Sequence, residues 1–165
     1  MRSTQQEISE TLGKLNELAP AGYALGFHIS YTTPKFVFQS YPKAWLDHYS
    51  SNGLIMMDPM VAWGFGSEGT QRWSGLDDAA GVLALAGEHG MKFGVVVSCV
   101  SDESRSLGGF SHPDREFADE EIEQLHDCFV AIHDLTGDTA QLDPKTVEQL
   151  KKMSIMVTHP GSQAI

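Results

Sequence analysis

Tyr41, Trp45, Tyr49, Asp58 and Trp73 set four aromatic hydrogen-bond donors and one carboxylate within an otherwise apolar stretch. Tyr and Trp each bring a large apolar face with a single polar tip, and a buried tip needs a partner in the protein or in a ligand. Asp58 is flanked by Ile55, Met56, Met57, Met60 and Val61. A carboxylate in such surroundings is costly to leave unpaired, and accepting an amide N–H offsets part of that cost. The combination suits a pocket for a small uncharged amphiphile with one amide and an apolar tail. Asp58, Tyr41 and Trp45 have the chemistry for its polar part. The plainer alternative is that Asp58 is only a helix cap and the aromatics only core; capping and ligand binding are compatible.

The elements around these residues follow from periodicity. Ile8, Leu12, Leu15 and Leu18 recur at helical spacing before Pro20 and Gly22, which predicts a helix over 4–18. Tyr23, Leu25, Phe27 and Ile29 alternate with smaller residues, Thr32-Thr33-Pro34 reads as a turn, and 35–39 as the returning strand. Residues 42–51 read as a short helix with Trp45 and Tyr49 one turn apart. Asp58-Pro59 is a helix start, Asp as N-cap and Pro as first helical residue. A weaker helix pattern over 77–89 ends at His89-Gly90. Phe93 to Val100, the turn Ser101-Asp102-Glu103-Ser104 and Arg105 to Ser111 form a second hairpin. From Asp119, the spacing of Ile122, Leu125, Phe129 and Ile132 gives a long amphipathic helix whose acidic first turn complements the dipole.

Strands and helices do not alternate singly, so the expected fold class is α+β, a three-layer α-β-α sandwich around a mainly antiparallel sheet of about five strands. At 165 residues the chain holds one domain, placed at 1–138, followed by a linker and tail over 139–165. The tail contains a short helix pattern at Val147, Leu150, Lys151 and Lys152.

Composition excludes several functions. With 11 Lys and Arg against 22 Asp and Glu, net charge −11, phosphate attraction does not drive this chain, and it is not expected to bind DNA alone. No run reaches the length of a membrane span and no apolar signal core opens the chain, so a cytoplasmic protein without membrane contact is expected. Cys99 and Cys128 have no metal-ligand spacing and read as buried free thiols. Gly64-Phe65-Gly66-Ser67-Glu68-Gly69 matches a dinucleotide fingerprint but follows a helix start, and Glu68 would repel phosphate. His126 and His133 lie two helical turns apart, too far for one metal, and read as surface or packing residues. No nucleophile elbow occurs. Neither catalysis, nor a metal, nor a cofactor is expected.

Trp45, Tyr49, Asp58, Pro59 and Trp73, at intervals of four, nine, one and fourteen, resemble the signature of the autoinducer-binding domain of LuxR-type quorum-sensing transcriptional regulators. The resemblance continues through Gly90 and Gly94, and through Leu107-Gly108-Gly109-Phe110-Ser111 as the last strand, spanning about residues 5–138. It implies an N-acyl homoserine lactone as ligand. Residue by residue it implies that the Trp45 indole donates to the lactone carbonyl, Asp58 accepts from the amide and Tyr41 donates to the acyl carbonyl. Ser111 would bring a second hydroxyl near that amide, and Trp73 and Tyr49 would wall the pocket by apolar contact. Departures from the family pattern are Ser98 where proline is usual, Leu46 after Trp45 where some members carry arginine, and a shortened helix before Gly90.

The expected function is therefore a ligand-sensing domain that dimerises, as a homodimer or with a full-length LuxR-type regulator, and that links folded abundance to signal. The family's helix-turn-helix is expected to be absent or vestigial over 139–165. A truncated antagonist forming inactive heterodimers, or an orphan small-molecule sensor on the same scaffold, are the alternatives. Each buried methylene contributes about 0.8 kcal/mol and a neutral hydrogen bond about 1 kcal/mol. An acyl tail thus supplies affinity, and the polar groups discriminate because an orphaned carboxylate costs more.

Overall fold

The computed structural model describes residues 3–31, 33–137 and 142–158. Helix α1 (Thr4–Leu18) begins at a capping box in which Ser3 and Gln6 satisfy each other's backbone N–H groups. Strands β1 (Gly22–Ser30) and β2 (Thr33–Gln39) form the first hairpin. Thr33 and Pro34, expected in the turn, already pair as β2, and the chain reverses around Tyr31, whose φ is 58°. Helix α2 (Lys43–Ser51), a 3-10 turn at Leu54–Met57 and helix α3 (Pro59–Gly66) follow. Strand β3 (Gly69–Arg72) and helix α4 (Val82–Glu88) lead to the second hairpin, β4 (Phe93–Ser101) and β5 (Ser104–His112). Its two-residue turn, Asp102-Glu103, has positive φ at both positions, the twist-compatible hairpin geometry. Helix α5 (Asp119–Leu135) and helix α6 (Pro144–Thr158) complete the order.

The strands form one antiparallel sheet in the order β2-β1-β5-β4-β3, consistent with the α+β sandwich expected. β3 is the strand that periodicity does not reveal: Gly-Thr-Gln-Arg offers neither alternation nor an apolar run, and pairing with β4 decides it. Two packed layers cover the sheet. On one face Tyr23, Leu25, Phe27, Phe36, Phe38, Val95, Val97 and Phe110 meet Ile8, Leu12 and Leu15 of α1 and Leu125, Phe129 and Ile132 of α5. On the other, a smaller cluster joins Tyr41, Trp45, Leu54, Trp73, Val82, Ala86 and Met91.

Helix α6 occupies part of what sequence assigns to linker and tail. Leu150 is fully buried in the larger core, and Leu142 and Met153 pack against it. Ser154 engages the edge strand: its Oγ accepts from the Val37 N–H at 2.9 Å, and its hydroxyl donates to the Val37 carbonyl. An exposed strand edge is a pairing hazard, and α6 covers this one. The amphipathic spacing of Val147, Leu150 and Ser154 carries that docking. Of the predicted linker and tail, 139–141 and 159–165 lie outside the described residues, as does 138 of the predicted domain.

His133 of α5 is buried rather than at the surface. Its ring stacks on His28 with centroids 4.4 Å apart. His28 Nε2 must be a donor, since the His133 carbonyl at 2.9 Å can only accept, and the Ser104 hydroxyl then donates to Nδ1 at 2.6 Å. Ser106 and Ser101 engage the two nitrogens of His133 at 2.6 and 2.7 Å. Both imidazoles are thus fully partnered when neutral. Burial, the largest cause, holds both pKa values below the ordinary histidine value, outweighing nearby Asp134 and Asp102.

Two outcomes follow from these contacts. Leu150→Ala should cost about 3 kcal/mol, lowering the melting temperature by roughly 6 to 12 °C; a shift under about 2 °C would mean α6 is not part of the fold. Because the folded-state histidines bind protons less readily than unfolded ones, their contribution is intact above about pH 6.5 and is lost as pH falls. Imidazole titration by NMR should find both midpoints below about 6.5, with the melting temperature dropping between about pH 7.5 and 5.5. A flat melting profile over that interval would contradict the assignment.

Candidate functional site

Strand alternation that turns the large residues toward α1 and α5 turns small ones toward α2, α3 and α4. Gly22, Ser111 and Gly94 lie side by side in register across β1, β5 and β4, and Ala24, Gly109 and Val96 form the next row. Aromatic groups rest on this floor. A Cβ at position 94 would fall inside the Trp73 indole. One at 109 would come within 3.0 Å of the Tyr41 hydroxyl and 3.1 Å of the Met60 sulfur, tighter than ordinary packing allows. Glycine at these two positions is what lets the aromatics lie on backbone.

Four elements bring the polar groups over the floor. Pro42 precedes α2 and sets Trp45 and Tyr49 on one face, with ring centroids 5.8 Å apart. Asp58 caps α3 by accepting the Met60 N–H through Oδ1 at 2.9 Å. Oδ2 accepts from the Tyr49 hydroxyl at 2.8 Å. A carboxylate offers about four acceptor positions, so two remain for an incoming N–H. Burial is the main cause raising the Asp58 pKa above the usual carboxylate value, opposed by the bonds from Tyr49 and Met60. Trp73 follows β3, which Arg72 ties to the start of α5 through the Phe117 carbonyl at 2.8 Å and Asp119 at 2.9 Å. The fourth side is α4, entered through Asp78, whose carboxylate accepts from the N–H groups of Leu83 and Ala84 at 3.1 and 3.0 Å.

Among the described residues, the buried Tyr41 hydroxyl and Trp73 Nε1 have no hydrogen-bond partner. Such groups cost about 1 to 3 kcal/mol each when left unsatisfied. Two donors and a partly committed acceptor therefore sit in one apolar cluster, able to recognise a neutral group carrying both C=O and N–H. Burial, with the Asp58 charge second, drives the Tyr41 and Tyr49 hydroxyls well above the ordinary tyrosine value, so both remain protonated donors.

The structure brings Tyr41, Trp45, Tyr49, Asp58 and Trp73 to one side of the sheet, with Ser111 in the floor. Three details differ from expectation. Tyr49 is more than an apolar wall, since its hydroxyl is spent on Asp58. Trp73 carries a buried unpartnered donor in addition to its ring. Ser111 donates to the Phe93 carbonyl at 2.8 Å, which leaves its oxygen only as an acceptor. His89 was not singled out in the sequence, yet its ring lies 5.4 Å from that of Trp45, and that of His48 lies 6.3 Å away. The predicted His89-Gly90 helix end was the available signal. The dinucleotide-like glycine run straddles the end of α3 and the start of β3, so no strand-to-helix phosphate turn forms. Among the described residues no cluster of three or more metal-ligating side chains occurs, and no helix is long and apolar enough to cross a membrane.

Comparison with known proteins identifies the family and the fold. The profile of the Autoinducer binding domain family matches residues 20–134. The transcriptional activator protein SolR of Ralstonia nicotianae is 34% identical over 64 residues, and that of Ralstonia solanacearum 36% identical over 64. Each match covers 38% of this chain and 27% of the relative, so the chain aligns with about a quarter of the length of these curated relatives. Among solved structures, Escherichia coli SdiA superposes with TM-score 0.61 at 22% identity, over 87% of this chain and 66% of that one. SdiA in complex with octanoyl-rac-glycerol gives 0.60 at 20%, over 87% and 64%. CepR2 of Burkholderia cenocepacia, an N-acylhomoserine lactone dependent LuxR family transcription factor, gives 0.52 at 13%, over 81% and 93%. At these identities the structures establish shared fold, while the profile covers most of the chain: the protein belongs to the autoinducer-binding domain family of LuxR-type regulators.

Proposed function

We propose that this domain binds an N-acyl homoserine lactone through the groups gathered over the glycine floor, and acts as the sensor of a quorum-sensing regulator. The observation that carries the reading is the set of polar atoms in the aromatic cluster: Asp58 with acceptor capacity left, beside the unpartnered Tyr41 hydroxyl and Trp73 indole. An acyl homoserine lactone has one amide N–H and two carbonyls. Asp58 takes the N–H, Tyr41 the acyl carbonyl, and the Trp45 indole the lactone carbonyl. The Trp73 indole lies against the lactone ring, its N–H available to the ring oxygens. Ser111, in the first row beside Gly94, holds the floor at the lactone end.

The role is binding rather than catalysis. SolR and CepR2 are named as transcriptional regulators, and CepR2 as lactone dependent. On that analogy the chain works in the cytoplasm, in a dimer of its own kind or with a regulator of the family. Ligand binding only to the folded state stabilises it by mass action, about 2.7 kcal/mol at 100-fold excess over Kd. Folded protein then accumulates with signal.

Asp58→Asn tests the assignment while leaving one side-chain oxygen to cap α3. With hexanoyl homoserine lactone in large excess, the melting temperature of the natural protein should rise by several degrees and that of the variant by less than about 1 °C. An equal rise in both would remove Asp58 from recognition. Ring-opened product appearing on incubation would show an enzyme instead.

A further inference from the structure

The floor beneath the site continues past its second row. Gly26, Leu107 and Ser98 form a third row across β1, β5 and β4, about 7 Å beyond Ala24, Gly109 and Val96. Helix α3 runs along the same direction. Met60 stands over Gly109 in the second row, and Gly64, one turn later, over Leu107 in the third. Here helix and sheet touch: a Cβ at position 64 would fall within the Leu107 methyl groups, so the leucine fills the notch that glycine leaves.

A latch holds this contact shut. Ser98 donates to the Gly64 carbonyl at 2.9 Å. Arg105 Nη1 lies 2.5 Å from the Gly64 carbonyl, 2.7 Å from the Ser67 carbonyl and 2.7 Å from the Ser98 hydroxyl. The guanidinium thus caps orphan carbonyls at the end of α3, where the helix dipole favours a cation. Ser98 is buried and bridges Arg105 to Gly64.

We infer that the Gly64–Leu107 contact, locked by Arg105 and Ser98, is the closed end of the ligand chamber and restricts this sensor to short acyl chains of about six carbons. The inference rests on the lactone reading above. With Trp73 over the first row and the amide partners at the second, a tail leaving the amide away from the lactone ring heads for the third row. It has about one row, roughly 7 Å, before the contact. An extended alkyl chain advances about 1.25 Å per carbon, from bonds of ~1.5 Å at tetrahedral angles. Five or six carbons fill that span. Leu107 and Gly64 set the length, and Arg105 and Ser98 are positioning residues that act through them.

The test is a calorimetric series of butanoyl, hexanoyl, octanoyl and dodecanoyl homoserine lactones on the full chain. Affinity should rise about fourfold per added methylene up to hexanoyl, then fall at least tenfold by dodecanoyl. Leu107→Ala should move the optimum two to four carbons longer. Arg105→Met should flatten the decline beyond hexanoyl, and Arg105→Lys, which keeps the cation, should restore part of it. The ratio of dodecanoyl to hexanoyl affinity is the readout, because a merely destabilised fold weakens all lengths together. Dodecanoyl binding as tight as hexanoyl in the natural protein, or a ratio unmoved by Leu107→Ala, overturns the inference and leaves the lactone reading standing. Absence of binding at every length overturns both.

Discussion

Everything above the sheet depends on one constraint, the alternation of large and small side chains on the central strands. A strand shows its residues to opposite faces in turn, so the Phe-rich set that seals the sheet against α1 and α5 forces whatever lies between onto the other face. There the residues are mostly small, Gly22, Ala24, Gly26, Gly94, Gly109 and Ser111, with Val96, Ser98 and Leu107 among them. Such a floor gives little apolar packing of its own. Tyr41, Trp45, Trp73 and Met60 supply it from above. A slip of one residue in either central pairing would put phenylalanine on the floor and close the site.

Asp58 sits at the junction of three requirements. It caps α3, orders the Tyr49 ring through a hydrogen bond, and keeps acceptor capacity. Removing a carboxylate from water is costly, and the two bonds it receives offset only part of the penalty, which is why its pKa stays raised. A further N–H donor would offset more of it. On the proposed reading, a ligand lacking the amide hydrogen would leave the carboxylate undercompensated, whereas one with a different tail would alter only apolar contact. Head-group selectivity and chain-length selectivity are assigned to different ends of the site.

Much of the arrangement was legible in sequence, for physical reasons that can be named. The Asp58-Pro59 helix start is local chemistry, with cap and fixed φ at adjacent positions, and it appears where expected. Helices α1 and α5 carry long apolar periodicity, and the second hairpin its β-branched run. What local pattern could not carry were the long-range contacts. Strand β3 exists because β4 offers it an edge, and α6 docks because Ser154 reaches Val37, 117 positions earlier. Gly64 and Gly94 mark close approaches between layers that only the fold decides. The Tyr49 hydroxyl and the Arg105 latch were invisible for the same reason, since each joins elements whose relative placement only the fold decides.

The central claim is that the Asp58 carboxylate reads the amide of an acyl homoserine lactone held over the glycine floor. A crystal structure of the protein grown with hexanoyl homoserine lactone tests it most directly. The account predicts intact ligand with its amide nitrogen within hydrogen-bond distance of Asp58, its acyl carbonyl on the Tyr41 hydroxyl, and its ring between Trp45 and Trp73. Ligand bound with the amide away from Asp58, or lodged outside the aromatic cluster, would contradict it.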